Sequence, residues 1–237
     1  LDADCQPRSD WLERLIAPLS RDGIDGTVGR FVSSQDGAVA RLIQADLDLR
    51  YERMERFDQV DFINTATCAF RRDRLPAAPF DESFIKLEDL DFSFRLASAG
   101  LEMRFAGKSV VEHRHPESLS AHCRRRYLYG RYAPALYREH SSKAVSDSST
   151  PPGRRLQLVF LGLSLPLAVA WWPAGLASLA ASFAFSIPLL RRAWRDSPLL
   201  IFPGFLYLLA GNLAFLAGSI MGVPALIAGG TSRRSQR

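Results

Sequence analysis

Residues 156–230 contain only four charged side chains, Arg191, Arg192, Arg195 and Asp196. So long a stretch with so little charge has the composition of membrane helices, not of a water-facing surface. It divides into apolar runs at about residues 156–172, 176–190 and 199–222. Pro173, Ala174 and Gly175 predict a tight turn between the first two, which together read as a helical hairpin. The third region is long for one span and short for two, and Pro203 and Pro224 are placed to break it. Arg154 and Arg155 precede the hairpin, and Arg191, Arg192 and Arg195 follow it. The positive-inside rule puts both flanks on the cytoplasmic side. Arg233, Arg234 and Arg237 in the 231–237 tail prefer that side too, whereas a single third span carries them across.

The chain before this region is mixed and polar, as in a soluble domain. Its formal net charge of +5 is not spread evenly. Arg114, Arg124, Arg125, Arg126, Arg131, Arg138, Lys143, Arg154 and Arg155 cluster ahead of the apolar runs. Basic residues there match anionic lipid headgroups. None of the usual nucleic-acid modules is present, so no nucleic-acid partner is expected. Cys5, Cys68 and Cys123 are too few and too scattered for a disulfide framework or a zinc site, which fits a reducing, cytoplasmic setting. Residues 141–153, rich in Ser and Pro, read as a linker.

Strands and helices alternate through residues 1–140, which predicts an α/β domain. Ser9 or Asp10 is placed to cap a helix reaching Leu19, with Trp11, Leu12, Leu15, Ile16 and Leu19 inside. A strand over residues 27–33 follows, then a helix over about 38–57 with Val39, Leu42, Ile43, Leu47 and Met54 inward. Residues 60–63, 101–105 and 109–112 read as short strands, and residues 64–67 as a polar loop.

The most chemical stretch is residues 80–100. Leu87, Leu90, Phe94 and Ala97 recur at helical spacing, and Gly100 is a C-terminal stop. Glu88 and Asp89 then fall in the first helical turn, where the helix dipole favours their ionised form. A carboxylate fixed there is a candidate general base, while ordinary capping is the alternative. Asp91 and Arg95, four apart, are spaced to pair on the exposed side. At the start of the chain, Asp2-x-Asp4 suits a divalent cation bridging a diphosphate, and His113 is a candidate third ligand.

Taken in order, the pieces are more specific than any one of them. Asp2-Ala3-Asp4 is followed by Trp11-Leu12, and then by Asn64-x-x-x-Cys68-Ala69-Phe70-Arg71-Arg72. Phe80-Asp81-Glu82-x-Phe84 and Glu88-Asp89-x-Asp91-Phe92-x-Phe94-Arg95-Leu96 come next, and Val111-x-His113-x-His115 closes the set. This order resembles the later part of a family 2 glycosyltransferase of the GT-A fold, followed by membrane helices.

The resemblance implies a partial GT-A domain, a nucleotide-sugar donor, Mg²⁺ or Mn²⁺, and inversion at the anomeric carbon. It assigns Asp89 as the base, with Glu88 beside it, and Asp2, Asp4 and His113 to the metal. Asn64, Thr65 and Ala66 match the loop near donor sugar and acceptor. Arg71 and Arg72 become candidates to meet the leaving diphosphate, and Asp91 with Arg95 a supporting pair. Family members carry a nucleotide-binding segment ahead of Asp-x-Asp, so the sequence reads as starting mid-domain, a fragment expected to be weak or inactive alone.

The expected organisation is a catalytic part over 1–140, a basic linker over 141–155, membrane helices over 156–230 and a basic tail over 231–237. The expected protein is a multi-pass enzyme of the cytoplasmic (inner) membrane. Its catalytic domain faces the cytoplasm, and its acceptor is lipid-linked or an envelope glycan. Processive polysaccharide synthases of the family carry Gln-x-x-Arg-Trp after the base. Here Arg124-Arg125-Arg126-Tyr127 occupies that region, which favours single-sugar transfer. A synthase subunit and a non-catalytic membrane module are the alternatives.

Overall fold

The computed structural model of the 237-residue chain describes residues 5–77 and 80–232, with side chains described to residue 224. The contacts form two compact units. One comprises residues 1–36, 47–115 and 136–150, and the other residues 37–46, 116–135 and 151–237.

The first unit is built on a four-stranded sheet of order β1-β4-β2-β3. The strands are β1 (Cys5–Pro7), β2 (Gly26–Val32), β3 (Cys68–Phe70) and β4 (Met103–His113). β2 and β4 run parallel, and β1 and β3 pair antiparallel at the two edges. The sheet is therefore mixed, in a chain that is otherwise mostly helical. Residues 101–105 and 109–112, expected as two strands, are one strand with an irregularity. β2 advances from Val28 to Arg30 while β4 advances from Phe105 to Val110. The extra residues of β4 bulge past Gly29, where a side chain would run into Thr67 Oγ1 and the Ser109 carbonyl.

Residues 60–63 do not form the expected strand. Val60 N–H donates to the Met103 carbonyl at 2.8 Å, and Ile63 N–H to Ser93 Oγ at 2.9 Å. A segment whose amides are satisfied by a strand end and a side chain has no need of a ladder. The expected helix through Leu19 is shorter. α1 (Trp11–Ile16) passes into a 3₁₀ turn over Ala17–Ser20, with Pro18 in its first turn. Leu15 is buried, but Leu12 and Ile16 are exposed, so α1 buries a narrower face than the pattern suggested. Asp10 does not cap it; its carboxylate accepts from Arg14 Nε at 2.6 Å.

α2 (Ala38–Met54) starts where expected and ends short of residue 57, and the boundary between the units passes within it. Within the first unit Met54 and Tyr51 of α2 pack with Val28, Val60, Ile63 and Met103. Phe92 and Leu96 of α3 (Glu88–Ser98) complete that core. Residues 141–153 are not a free linker. α5 (Ser141–Val145) is followed by a turn knotted on the buried Asp147, whose carboxylate accepts from the amides and hydroxyls of Ser149 and Thr150.

In the second unit, α6 (Arg154–Ala170) turns at Trp171 into α7 (Trp172–Ala184), so the hairpin is real. Its turn is earlier than expected, because Pro173 sits in the first turn of α7, where its missing N–H costs nothing. Small polar side chains fasten the two helices. Ser178 Oγ donates to the Phe160 carbonyl at 2.7 Å, and Ser182 Oγ to that of Gln157 at 2.9 Å. The expected run over 176–190 is broken, since α7 is bent by 50° from α8 (Ile187–Asp196).

α9 (Ile201–Ser232) continues through both Pro203 and Pro224. Pro203 lies where the helix amides have no internal partner anyway. Among the described residues one helical segment, Pro198–Pro224, is long and apolar enough to cross a membrane. At 17 residues α6 is short for a span of about 20 residues, and α7 with α8 reaches that length only as a pair bent by 50°. α9 packs closely on α4 (Leu119–Glu139), through the part of α4 that belongs to this unit. A side chain at Gly130 would strike the Phe215 carbonyl, and side chains at Gly218 and Gly222 would strike those of Tyr127 and Arg131. His122 stacks on Tyr207 at 4.1 Å, and Arg126 reaches Asn212 Oδ1 at 3.4 Å.

Candidate active site

The helix α3 begins as its sequence demands, with Glu88, Asp89 and Asp91 in the first turn and Gly100 in the left-handed conformation just beyond its end. Its start is abrupt. Leu87, buried and immediately before the acidic pair, has φ 67°, among the described residues the one non-glycine residue with positive φ. A branched side chain held there stores strain, which clusters where chemistry is positioned.

Asp89 Oδ1 accepts from the Leu90 amide at 2.8 Å. Its acidity differs from the expectation drawn from the helix dipole. Burial, and then the neighbouring Glu88, push its pKa up from 3.8 to about 6, against the opposing pull of backbone amides and Arg50. Withdrawal from water outweighs the favourable helix start, because the charged form loses its hydration. An aspartate that titrates near 6 is ionised at neutral pH yet basic enough to take a proton from a hydroxyl.

Ser93, one turn along α3, joins this acid to the loop at Asn64. Its hydroxyl lies 2.6 Å from the Asp89 carbonyl oxygen and accepts the Ile63 amide at 2.9 Å. Asn64 Oδ1 in turn accepts from the Ala66 amide at 3.0 Å and caps a short 3₁₀ turn, Thr65–Thr67. Thr67 is buried and its hydroxyl accepts from Trp11 Nε1 at 3.0 Å. The structure thus brings Asn64, Thr65 and Ala66 into one framework with Asp89. Ser93 was missed in the sequence, although its place four residues after Asp89 put it on the same helix face.

The arginines are placed differently. Arg71 donates to the carbonyls of Ile24 at 3.0 Å and Leu19 at 2.6 Å, and so holds the turn before β2. Arg72 starts an exposed 3₁₀ turn. Asp91 and Arg95 pair at 2.8 Å as expected, but not on the exposed side, since Asp91 is 1% exposed. Its second oxygen lies 2.9 Å from His140 Nε2.

Asp91, Glu139 and His140 together offer ligand atoms within 4.8 Å of one another, a cluster able to hold a cation. Both Asp91 oxygens already serve Arg95 and His140, so the contacts made are those of an ion-pair network.

Asp2 and Asp4 lie outside the described residues. The strand that follows them is described, and its register sets Cys5 opposite His113. His113 ends β4, lies tilted against the Phe31 ring at 4.8 Å and brings its Nδ1 to 3.3 Å from Nδ1 of His115. Beside it lies a polar cavity of about 440 Å³ lined by Gln6, Ser33, Ser34, Gln35, Glu112 and Arg114. The His113 imidazole and the oxygen-bearing side chains around that cavity are donor types that Mg²⁺ or Mn²⁺ accepts.

A family model described as glycosyltransferase like family 2 matches residues 1–127, more than half of the chain. The chain belongs to this family. Its α/β fold and its ordered motifs agree with that membership. Two curated relatives are similar to it, both named pre-mycofactocin glycosyltransferase, from Mycobacterium tuberculosis strains CDC 1551 / Oshkosh and ATCC 25618 / H37Rv. Each is 30% identical over 152 residues, which covers 61% of this chain and 32% of the relative. The chain therefore spans about a third of the length of these relatives.

Proposed function

We propose that this family 2 glycosyltransferase chain serves a membrane-anchored, inverting enzyme that transfers a sugar from a nucleotide-sugar donor, with Asp89 as general base. The observation that carries the reading is the place of Asp89, half-buried at a strained helix start beside Glu88 and framed with the Asn64 loop through Ser93, where its pKa is pushed up to about 6. Inversion needs a base on the acceptor hydroxyl, opposite the departing diphosphate. Glu88 raises the basicity of Asp89 by like-charge repulsion. Ser93, Asn64 and Ala66 hold the acid and the acceptor loop in fixed relation.

Asp2, Asp4 and His113 would hold a divalent cation. A cation there neutralises charge on the leaving diphosphate. Arg72 is an additional candidate for that diphosphate, and Arg71 contributes by fixing the turn before β2. Asp91 and Arg95 support the helix that carries the base.

Residues 1–140 act as the catalytic part, residues 141–155 as the connection and residues 156–230 as the membrane part, with the basic tail at 231–237. Anchoring is supported by the apolar segment Pro198–Pro224 and by the exposure of Leu165, Val169, Trp171, Trp172, Leu199, Phe202 and Ile220. The α6–α7 hairpin accompanies α9 in the inner membrane, with the arginines of α8 at its flank. The arginines flanking the hairpin support a catalytic part on the cytoplasmic side.

Two acceptor classes follow from two observations. The tether beside the bilayer favours a lipid-linked or envelope glycan acceptor. The relatives' name favours pre-mycofactocin, the acceptor class stated in it. Membranes containing the full-length protein, given labelled UDP-, GDP- and dTDP-sugars with each acceptor class, decide between them. Label in a lipid extract supports the first acceptor class, and label on pre-mycofactocin supports the second. Long chains from a single donor would indicate a synthase. No transfer from any donor by a folded, membrane-bound protein overturns the enzymatic reading and leaves a membrane-interaction module.

A further inference from the structure

Gln35 lies in the loop after β2 and makes a pair of contacts that the chemistry above does not use. Its Oε1 accepts the His115 amide at 2.6 Å, and its Nε2 donates to the His115 carbonyl at 3.1 Å. The Ser33 hydroxyl donates to the same Oε1 at 3.0 Å. Two donors on one side and a carbonyl on the other fix which way the amide faces.

The backbone ladder between β2 and β4 ends at Val32 and Glu112. Beyond it, the Gln35 amide bonds both polar groups of His115 as a neighbouring strand would, adding one rung made by a side chain. That rung holds His115, 5% exposed, against His113, with the two Nδ1 atoms 3.3 Å apart. Phe31 packs on His113 from within β2. Phe31 thus meets the His113 ring and Gln35 fixes the backbone of His115 behind it, while Gln35 and His113 both line the polar cavity.

We propose that Gln35 is the positioning residue of the His113–His115 pair, and that it sets the His113 imidazole for the cation that accompanies the donor diphosphate. This rests on the reading of His113 as a ligand. Gln35 touches neither cation nor substrate in this role; it acts through the backbone of His115. Hydrogen-bonded partners behind a ligand commonly govern metal affinity by about tenfold or more.

The test is Mn²⁺ binding by the full-length protein, followed by electron paramagnetic resonance, for wild type, Gln35→Leu, Gln35→Glu and His113→Ala. Gln35→Leu is expected to weaken Mn²⁺ binding about tenfold with an unchanged melting temperature. Gln35→Glu keeps the acceptor for the His115 amide and loses the donor, so it should fall between. It is the variant to read if Gln35→Leu melts early. Weakened binding in His113→Ala with wild-type binding in both Gln35 variants overturns the positioning role. Unchanged binding in His113→Ala overturns the ligand reading instead. The ring-nitrogen NMR signals of the histidine pair then decide for Gln35, because an Nδ1 pattern unaltered by Gln35→Leu rules the role out.

Discussion

Asp89 titrates near pH 6 because its carboxylate is withdrawn from water beside Glu88. Two consequences follow, of opposite sign. The folded protein holds the proton more tightly than the unfolded chain, so the contribution of Asp89 to stability falls as pH rises from about 4 to 6. Asp89→Asn removes that cost. Its melting temperature should exceed that of wild type at about pH 8, and the gap should close below about pH 4. Activity runs the other way, since transfer needs the ionised base. The kcat/KM of wild type should fall with unit slope below about pH 6, and a profile flat through that value contradicts the assignment. His122, in the second unit, has the reverse linkage. Burial first, with Arg126 and Arg125, pulls it down to about 4, so its contribution is kept above pH 6.5 and lost as pH falls towards 4. The pairing of Asp91 with Arg95 was legible from their spacing. The depth of Asp91 was not, because the partner that helps bury it, His140, lies 49 residues away in sequence.

Elements with a strong period were readable, and those held by distant partners were not. α3 showed itself through its acidic first turn and Gly100, although the face it buries runs through Asp91, Phe92, Ser93, Phe94 and Leu96, with Leu90 and Ala97 only half-buried. β4 was read as two strands because Ala106, Gly107 and Lys108 interrupt the apolar pattern, and that interruption is the bulge facing Gly29. β1 and β3 have three residues each, too few to display alternation. Residues 60–63 have a strand-like composition but bond to Met103 and Ser93 instead. The glycines of α9 read simply as apolar-span residues, whereas their role is to admit the backbone of α4. Gly130→Val should therefore force the two helices apart, at about 1–3 kcal/mol, because the Phe215 carbonyl cannot yield as a side-chain tip would. Thermal melting in detergent measures it, and a wild-type melting curve refutes the close contact.

At the scale of the molecule, a mixed-sheet unit bearing the acid and a helical unit rich in exposed apolar side chains come from one interleaved chain. The apolar region was legible in composition alone. Its division was less so, since Pro173, Pro203 and Pro224 all lie within helices and the break falls between α7 and α8. If α9 spans the bilayer, the protein should stay in the pellet after carbonate washing of membranes, and release into the supernatant would show a peripheral attachment. On the proposed mechanism, Asp89 takes the acceptor proton. That step is tested most directly by single-turnover transfer of labelled sugar by the full-length protein, wild type beside Asp89→Asn, with donor binding measured on the same samples. Asp89→Asn should bind donor within about twofold of wild type and transfer at least about a hundredfold more slowly. Transfer at the wild-type rate by the folded variant would contradict that step.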